Sequence, residues 1–141
     1  HVRATREQYD LIVLDLTDPG GPSAPLYTVA FFAACRQRLA PGGAMTLHLG
    51  PLWEEPQRCR DIVNALNGAF PLVRPYQLFI PLYGTLWGMA CASDHLDPLA
   101  LSAAEVDNRL ARRGISGLRY YHGDTHRAVL ALPNFARELL A

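Results

Sequence analysis

The spacing of apolar and polar positions changes several times along this chain, and each change marks an element. Tyr9 to Leu16 reads Y-D-L-I-V-L-D-L, branched aliphatics without alternation, which predicts a strand buried on both faces in a helix-covered parallel sheet. D-P-G-G-P-S-A-P follows as a loop, because Gly and Pro break regular structure. From Tyr27 to Leu39 the apolar positions Val29, Phe32, Ala33, Cys35 and Leu39 fall at helical spacing, and Pro41-Gly42-Gly43 stops that helix. Ala44 to Gly50 is a second buried strand. Glu55 to Asn67 is a helix with Ile62, Val63 and Leu66 on its inner face. Strands near Leu72 to Ile80 and Leu86 to Ser93 follow, separated by a turn around Tyr83-Gly84. Ser102-Ala-Ala-Glu105 has the form of a capping box opening a helix to about Arg113, and short helical segments around Pro133 fill Tyr120 to Leu140.

Strand, helix, strand, helix and two closely spaced strands is the rhythm of an α/β layer fold that closes with an antiparallel pair. The most hydrophobic strand comes first, yet a strand buried on both faces is normally interior to its sheet. Its missing neighbour, and a first residue that is His, lead to the expectation that residues 1–141 are the C-terminal part of a larger α/β domain. An uncovered edge of that kind also predicts self-association.

Composition narrows the function. The chain has 141 residues, 50% hydrophobic and 18% charged, with 13 basic against 13 acidic side chains. That length suits one domain or a piece of one, and the balanced charge argues against a nucleic-acid binder that works by phosphate neutralisation. No apolar run reaches the roughly 20 residues of a membrane helix, and the first ten residues contain no signal-peptide core. The three cysteines form no C-x-x-C pair and the five histidines no H-E-x-x-H, so no metal site is expected and free thiols point to the cytoplasm.

In open α/β sheets ligands bind beyond the carboxyl ends of the parallel strands. Asp15 and Asp18 lie at that end of the first strand, in the rigid turn Asp15-Leu-Thr-Asp18-Pro-Gly-Gly-Pro22. Paired carboxylates there suit a cationic amine, by holding it or by taking a proton from it. The residues alone leave a second reading open, in which Asp18 caps the turn and Asp15 is merely solvated.

The string D-x-x-D-P-x-G-P after a buried strand resembles the signature loop of the polyamine aminopropyltransferases, the spermidine synthase family. Leu39-Ala-Pro-Gly-Gly43 is similar to the family's L-x-P-G-G. Ile80-Pro-Leu-Tyr83 with Trp87-Gly88 and Ala92-Ser93 resembles its I-P-x-Y…W-G-F…A-S. Tyr120-Tyr121…His126-Arg-Ala128…Leu132-Pro133 resembles its Y-Y-x-x-x-x-H-x-A-x-x-x-L-P.

The resemblance implies a Rossmann-like fold of the class I methyltransferase type. It also implies transfer of an aminopropyl group from decarboxylated S-adenosylmethionine to a polyamine such as putrescine, with methylthioadenosine released. The donor is a co-substrate; no tightly bound cofactor or metal is implied. By the same carry-over Asp15 is the catalytic carboxylate and Tyr83 positions the attacking amine. Asp18 binds a substrate ammonium, and Pro22 and Leu26 pack on the adenine. Trp53 either walls the acceptor pocket or covers the loop after the second strand. The glycine-rich nucleoside-binding turn and the β-region through which the family oligomerises would lie upstream of His1, and a homo-oligomer is expected.

Three positions depart from the family pattern. His48 stands where the family has a polyamine-contacting Gln, Gly84 where it has Pro, and Met89 where it has Phe. A different adenosylmethionine-dependent transferase and a non-catalytic paralogue therefore stay open beside the leading reading. His126 is expected to be structural, tying down the last helices.

Overall fold

A computed structural model describes residue 2 and residues 4–17 and 19–140. β1 (Tyr9–Leu14), β2 (Leu39–Pro51), β3 (Leu72–Ile80) and β4 (Thr85–Ser93) form one sheet in the order β1-β2-β4-β3. β1 runs parallel to β2, while β4 is antiparallel to both β2 and β3. The helices are α1 (Val29–Arg36), α2 (Pro56–Asn67), α3 (Ala103–Arg112), α4 (Gly123–Leu130) and α5 (Asn134–Leu140). No helix among the described residues is long and apolar enough to cross a membrane.

Side chains alternate across a strand, and directly paired residues share a face. The register therefore puts Ile12, Leu14, Met45, Leu47, Ala90, Ala92 and Val73 on one face. These residues join Phe32 and Cys35 of α1, Cys59, Ile62, Val63 and Leu66 of α2, and Ala136 and Leu140 of α5 in a single core. The opposite face carries Leu11, Val13, Thr46, His48, Tyr76, Trp87, Met89 and Cys91. Among the described residues its β3–β4 side is roofed by α4, which packs on β3 with α3 behind it.

Two expectations are corrected here. β1 is not buried on both faces. Its outer edge is open, as the missing neighbour led one to expect, but one face is open too, with Leu11 and Val13 58% and 60% exposed. The aliphatic run predicts a strand correctly, but burial depends on neighbours that these residues do not supply.

The first long helix spans Val29–Arg36 rather than Tyr27 to Leu39. Thr28 caps it by accepting from the Phe31 N–H, and Leu39 already belongs to β2. Pro41-Gly42-Gly43 consequently lies inside β2 as an out-bulge, with Tyr9 facing Leu39 and Leu11 facing Ala44. Gly43 there approaches the β1 backbone so closely that a Cβ would fall 3.0 Å from the Tyr9 carbonyl oxygen.

The Ser102–Glu105 signature is half realised. Ser102 accepts from the Glu105 N–H, but the Glu105 carboxylate turns to Arg109 and Arg112 along its own helix.

Candidate active site

β1 delivers the chain to an open corner of the less covered face. Asp15 follows its last residue and is exposed, its side chain making no hydrogen bond or ion pair among the described residues. The next carbonyl, that of Leu16, lies 2.5 Å from His48 Nε2 on β2. A carbonyl oxygen only accepts, so Nε2 carries a proton and donates it.

The His48 ring stacks on Trp87 of β4, with centroids 6.1 Å apart and planes 19° apart. Tyr83, 57% exposed in the β3–β4 turn, leans on the same indole at 4.6 Å and 38°. That turn closes through Gly84, whose N–H donates to the Ile80 carbonyl at 3.0 Å and whose φ is +65°. Proline could adopt neither this φ nor this bond, so the departure from the family pattern at Gly84 is a different turn construction.

The loop after Leu16 folds back onto α1 and α2. Tyr27 Oη donates to the Thr17 carbonyl at 3.0 Å. Leu26, half-buried, closes a one-turn 3-10 helix over Ala24–Leu26, just after the exposed Pro22. Between this loop and α2 lies a cleft of about 370 Å³ lined by Pro19, Ala24, Tyr27, Arg58, Asp61 and Ile62. Arg58 is ion-paired with Glu55 there. Asp18 lies outside the described residues.

The structure thus gathers the Asp15 segment, His48 and Tyr83 at one corner, with Pro22 and Leu26 on the adjoining loop. Trp53 is not part of that group. It is 73% exposed, meets Phe135 of α5 edge to face at 5.4 Å, and lines another cleft of about 390 Å³ with Arg60 and Glu138. His126 sits in neither cleft. Its Nδ1 pairs with Tyr121 Oη and its Nε2 with the Pro98 carbonyl, both at 2.8 Å, which ties α4 to the segment after β4. Burial raises the Tyr121 phenol above its usual pKa.

Sequence reading named Trp87 within a motif but gave it no role, and it did not single out Tyr27 or Arg58. For Trp87 a signal existed, because it lies four residues after Tyr83 across a tight turn and so on the same strand end. Its meeting with His48 depends on β4 pairing with β2, which local sequence does not specify.

The arrangement offers an exposed carboxylate, a directional phenol and an imidazole around an aromatic wall. That set can bind and orient a cationic amine and accept a proton from it.

Comparison with known proteins identifies the family. Residues 1–100 match the family described as Spermine/spermidine synthase domain. A polyamine aminopropyltransferase of Nitrosomonas europaea is 50% identical over 137 residues, 96% of this chain and 42% of that protein. Polyamine aminopropyltransferase 2 of Hyperthermus butylicus is 41% identical over the whole chain and 47% of its own length. Among solved structures, a spermidine synthase in complex with the transition state analogue AdoDATO superposes with a TM-score of 0.86 at 28% identity, covering 99% of this chain and 47% of that one. The spermidine synthase of Thermotoga maritima gives 0.83 at 28%, covering 99% and 46%. The chain therefore spans somewhat under half of the relatives it matches. With its mixed α/β sheet of the methyltransferase type and its motifs in order along the strands, the chain belongs to the spermine/spermidine synthase domain family.

Proposed function

We propose that this chain contributes the acceptor side and catalytic loop of a polyamine aminopropyltransferase, as the C-terminal part of its catalytic domain. Decarboxylated S-adenosylmethionine would be the aminopropyl donor, in the cytoplasm and within a homo-oligomer. The observation that carries this reading is the corner where the Asp15 segment, His48 and Tyr83 meet around Trp87, in a chain of this family. The β1 edge, open on its outer side, supports the view that further sheet belongs beside it.

In the proposed reaction the lone pair of a neutral amine nitrogen attacks the propyl carbon bonded to the sulfonium. The new C–N bond forms as the C–S bond breaks, and the bond pair returns to sulfur to give neutral methylthioadenosine. Amines of this class are largely protonated near neutral pH, so one N–H proton must leave. Asp15 accepts it, while Tyr83 and His48 orient the nitrogen in line with the leaving sulfur. Asp18 holds the distal ammonium, and Pro22 and Leu26 pack on the adenine.

The test uses the full gene product with decarboxylated and ordinary S-adenosylmethionine, paired with putrescine, cadaverine or spermidine, and products followed by mass. Aminopropyl addition with release of methylthioadenosine is expected, and Asp15→Asn should lower turnover by about 10²–10⁴-fold. Methyl transfer alone, or an Asp15→Asn protein of unchanged activity, would overturn the reading.

A further inference from the structure

Asp15 and Tyr83 reach the corner from different parts of the chain, one after β1 and one in the β3–β4 turn. Neither is fixed by its own surroundings. Both are exposed, and no hydrogen bond among the described residues holds either side chain. An in-line displacement loses rate steeply when its groups drift by an ångström, so something must hold these two in relation to each other.

One continuous set of contacts does so. Leu16, the neighbour of Asp15, is tied through its carbonyl to His48 Nε2. The His48 ring lies nearly parallel to Trp87, and Trp87 touches Tyr83. No ring contact among the described residues joins His48 to Tyr83 directly, so the half-buried indole is the shared support. Trp87 itself stands on a strand paired on both sides, facing Pro51 on β2 and Leu78 on β3.

We infer that Trp87 is a positioning residue, resting on the reaction proposed above: through His48 on one side and Tyr83 on the other it fixes the Asp15 segment and the phenol in one frame. Its ring contributes shape, because a flat face supports two rings that an aliphatic side chain of similar volume would leave free to tilt. The frame should therefore depend on aromaticity rather than on bulk.

The experiment compares Trp87→Leu, Trp87→Met and Trp87→Phe in the full gene product, each checked for native circular dichroism. Trp87→Leu is expected to lower kcat by about tenfold or more while the amine KM changes less than threefold, with Trp87→Phe recovering most of the loss. Tyr83→Phe should add less to the loss in the Trp87→Leu background than it does alone, since both act through one contact. The imidazole carbon–proton resonances of His48, assigned with His48→Gln, should move in Trp87→Leu and stay close to wild type in Trp87→Phe.

Trp87→Met replaces Trp87→Leu in every comparison if the latter loses its fold. Independent, multiplying effects of Trp87 and Tyr83, or a His48 signal indifferent to Trp87, would overturn the inference. The resonance measurement needs no turnover, so failure of the proposed reaction and failure of the positioning role are read separately.

Discussion

The two faces of the sheet are built from alternate residues of the same strands and have opposite characters. On the covered face Met45, Leu47 and Leu49 are sealed beneath α1, α2 and α5. On the other, their neighbours Thr46 and His48 are half-buried and hydrogen-bonded, to Tyr76 and to the Leu16 carbonyl. Apolar burial holds the first face without direction, whereas directional bonds and ring contacts order the second. A single strand can thus serve stability and chemistry at once, because its period of two keeps the assignments apart.

That contrast is open to direct attack. Leu47→Ala, a deletion on the sealed face, is expected to cost about 2–5 kcal/mol in urea unfolding. If it costs less than the change at its neighbour, the division of labour between the faces fails. Thr46→Val keeps the shape but leaves Tyr76 Oη without the 3.0 Å partner it has now. A loss of about 1–2 kcal/mol is expected from that one group. Burial already raises the Tyr76 phenol pKa, so a spectrophotometric titration should show it ionising later than an exposed tyrosine.

Asp97 gives a smaller, pH-dependent effect. It forms a fork with Arg74, at 2.9 Å to Nε and 2.6 Å to Nη2, and also accepts from the Leu99 N–H at 3.0 Å. The guanidinium bond is the main cause that lowers its pKa below the usual carboxylate value. A carboxyl with a lower pKa folded than unfolded stabilises fully above the unfolded value and loses that contribution as pH falls through the folded one. Asp97→Asn should therefore cost about 1 kcal/mol near neutrality, a figure reduced for the partial exposure of both partners. The difference from wild type should close below about pH 4. A gap that persists at pH 2 would exclude this cause.

The smallest change is expected at the outer edge. Leu11→Thr and Val13→Thr should each shift stability by no more than about 0.5 kcal/mol, because those side chains are already in water. Either change should also reduce association of the chain in sedimentation. A loss above about 1.5 kcal/mol would mean that this face is covered in solution.

The covered face was the more legible of the two in the sequence. Ile62, Val63 and Leu66 announce α2 and its inner side by spacing alone, and all three are in the core. The aliphatic run of β1 showed its strand and its open edge but not its open face, since Leu11 and Ile12 look alike in composition and differ only in what lies across from them. Pro41-Gly42-Gly43 reads locally as a stop, and only pairing with Tyr9 and Leu11 makes it a bulge within a strand. Asp15 and Tyr83 stood out through the motifs that contain them. Trp87 lay in the same motif as Tyr83, but its part in connecting them did not show, because it arises from contacts between distant segments.

The strand order has a kinetic consequence. β3 and β4 pair across a four-residue turn, a local event of the microsecond kind. β2 meets that hairpin only when segments far apart in sequence close a long loop, which is the slower class of step. The contact of His48 with Trp87 belongs to this later pairing. A refolding chain should accordingly recover hairpin signals before the stacked-ring environment of Trp87, whose fluorescence would report when the corner is assembled.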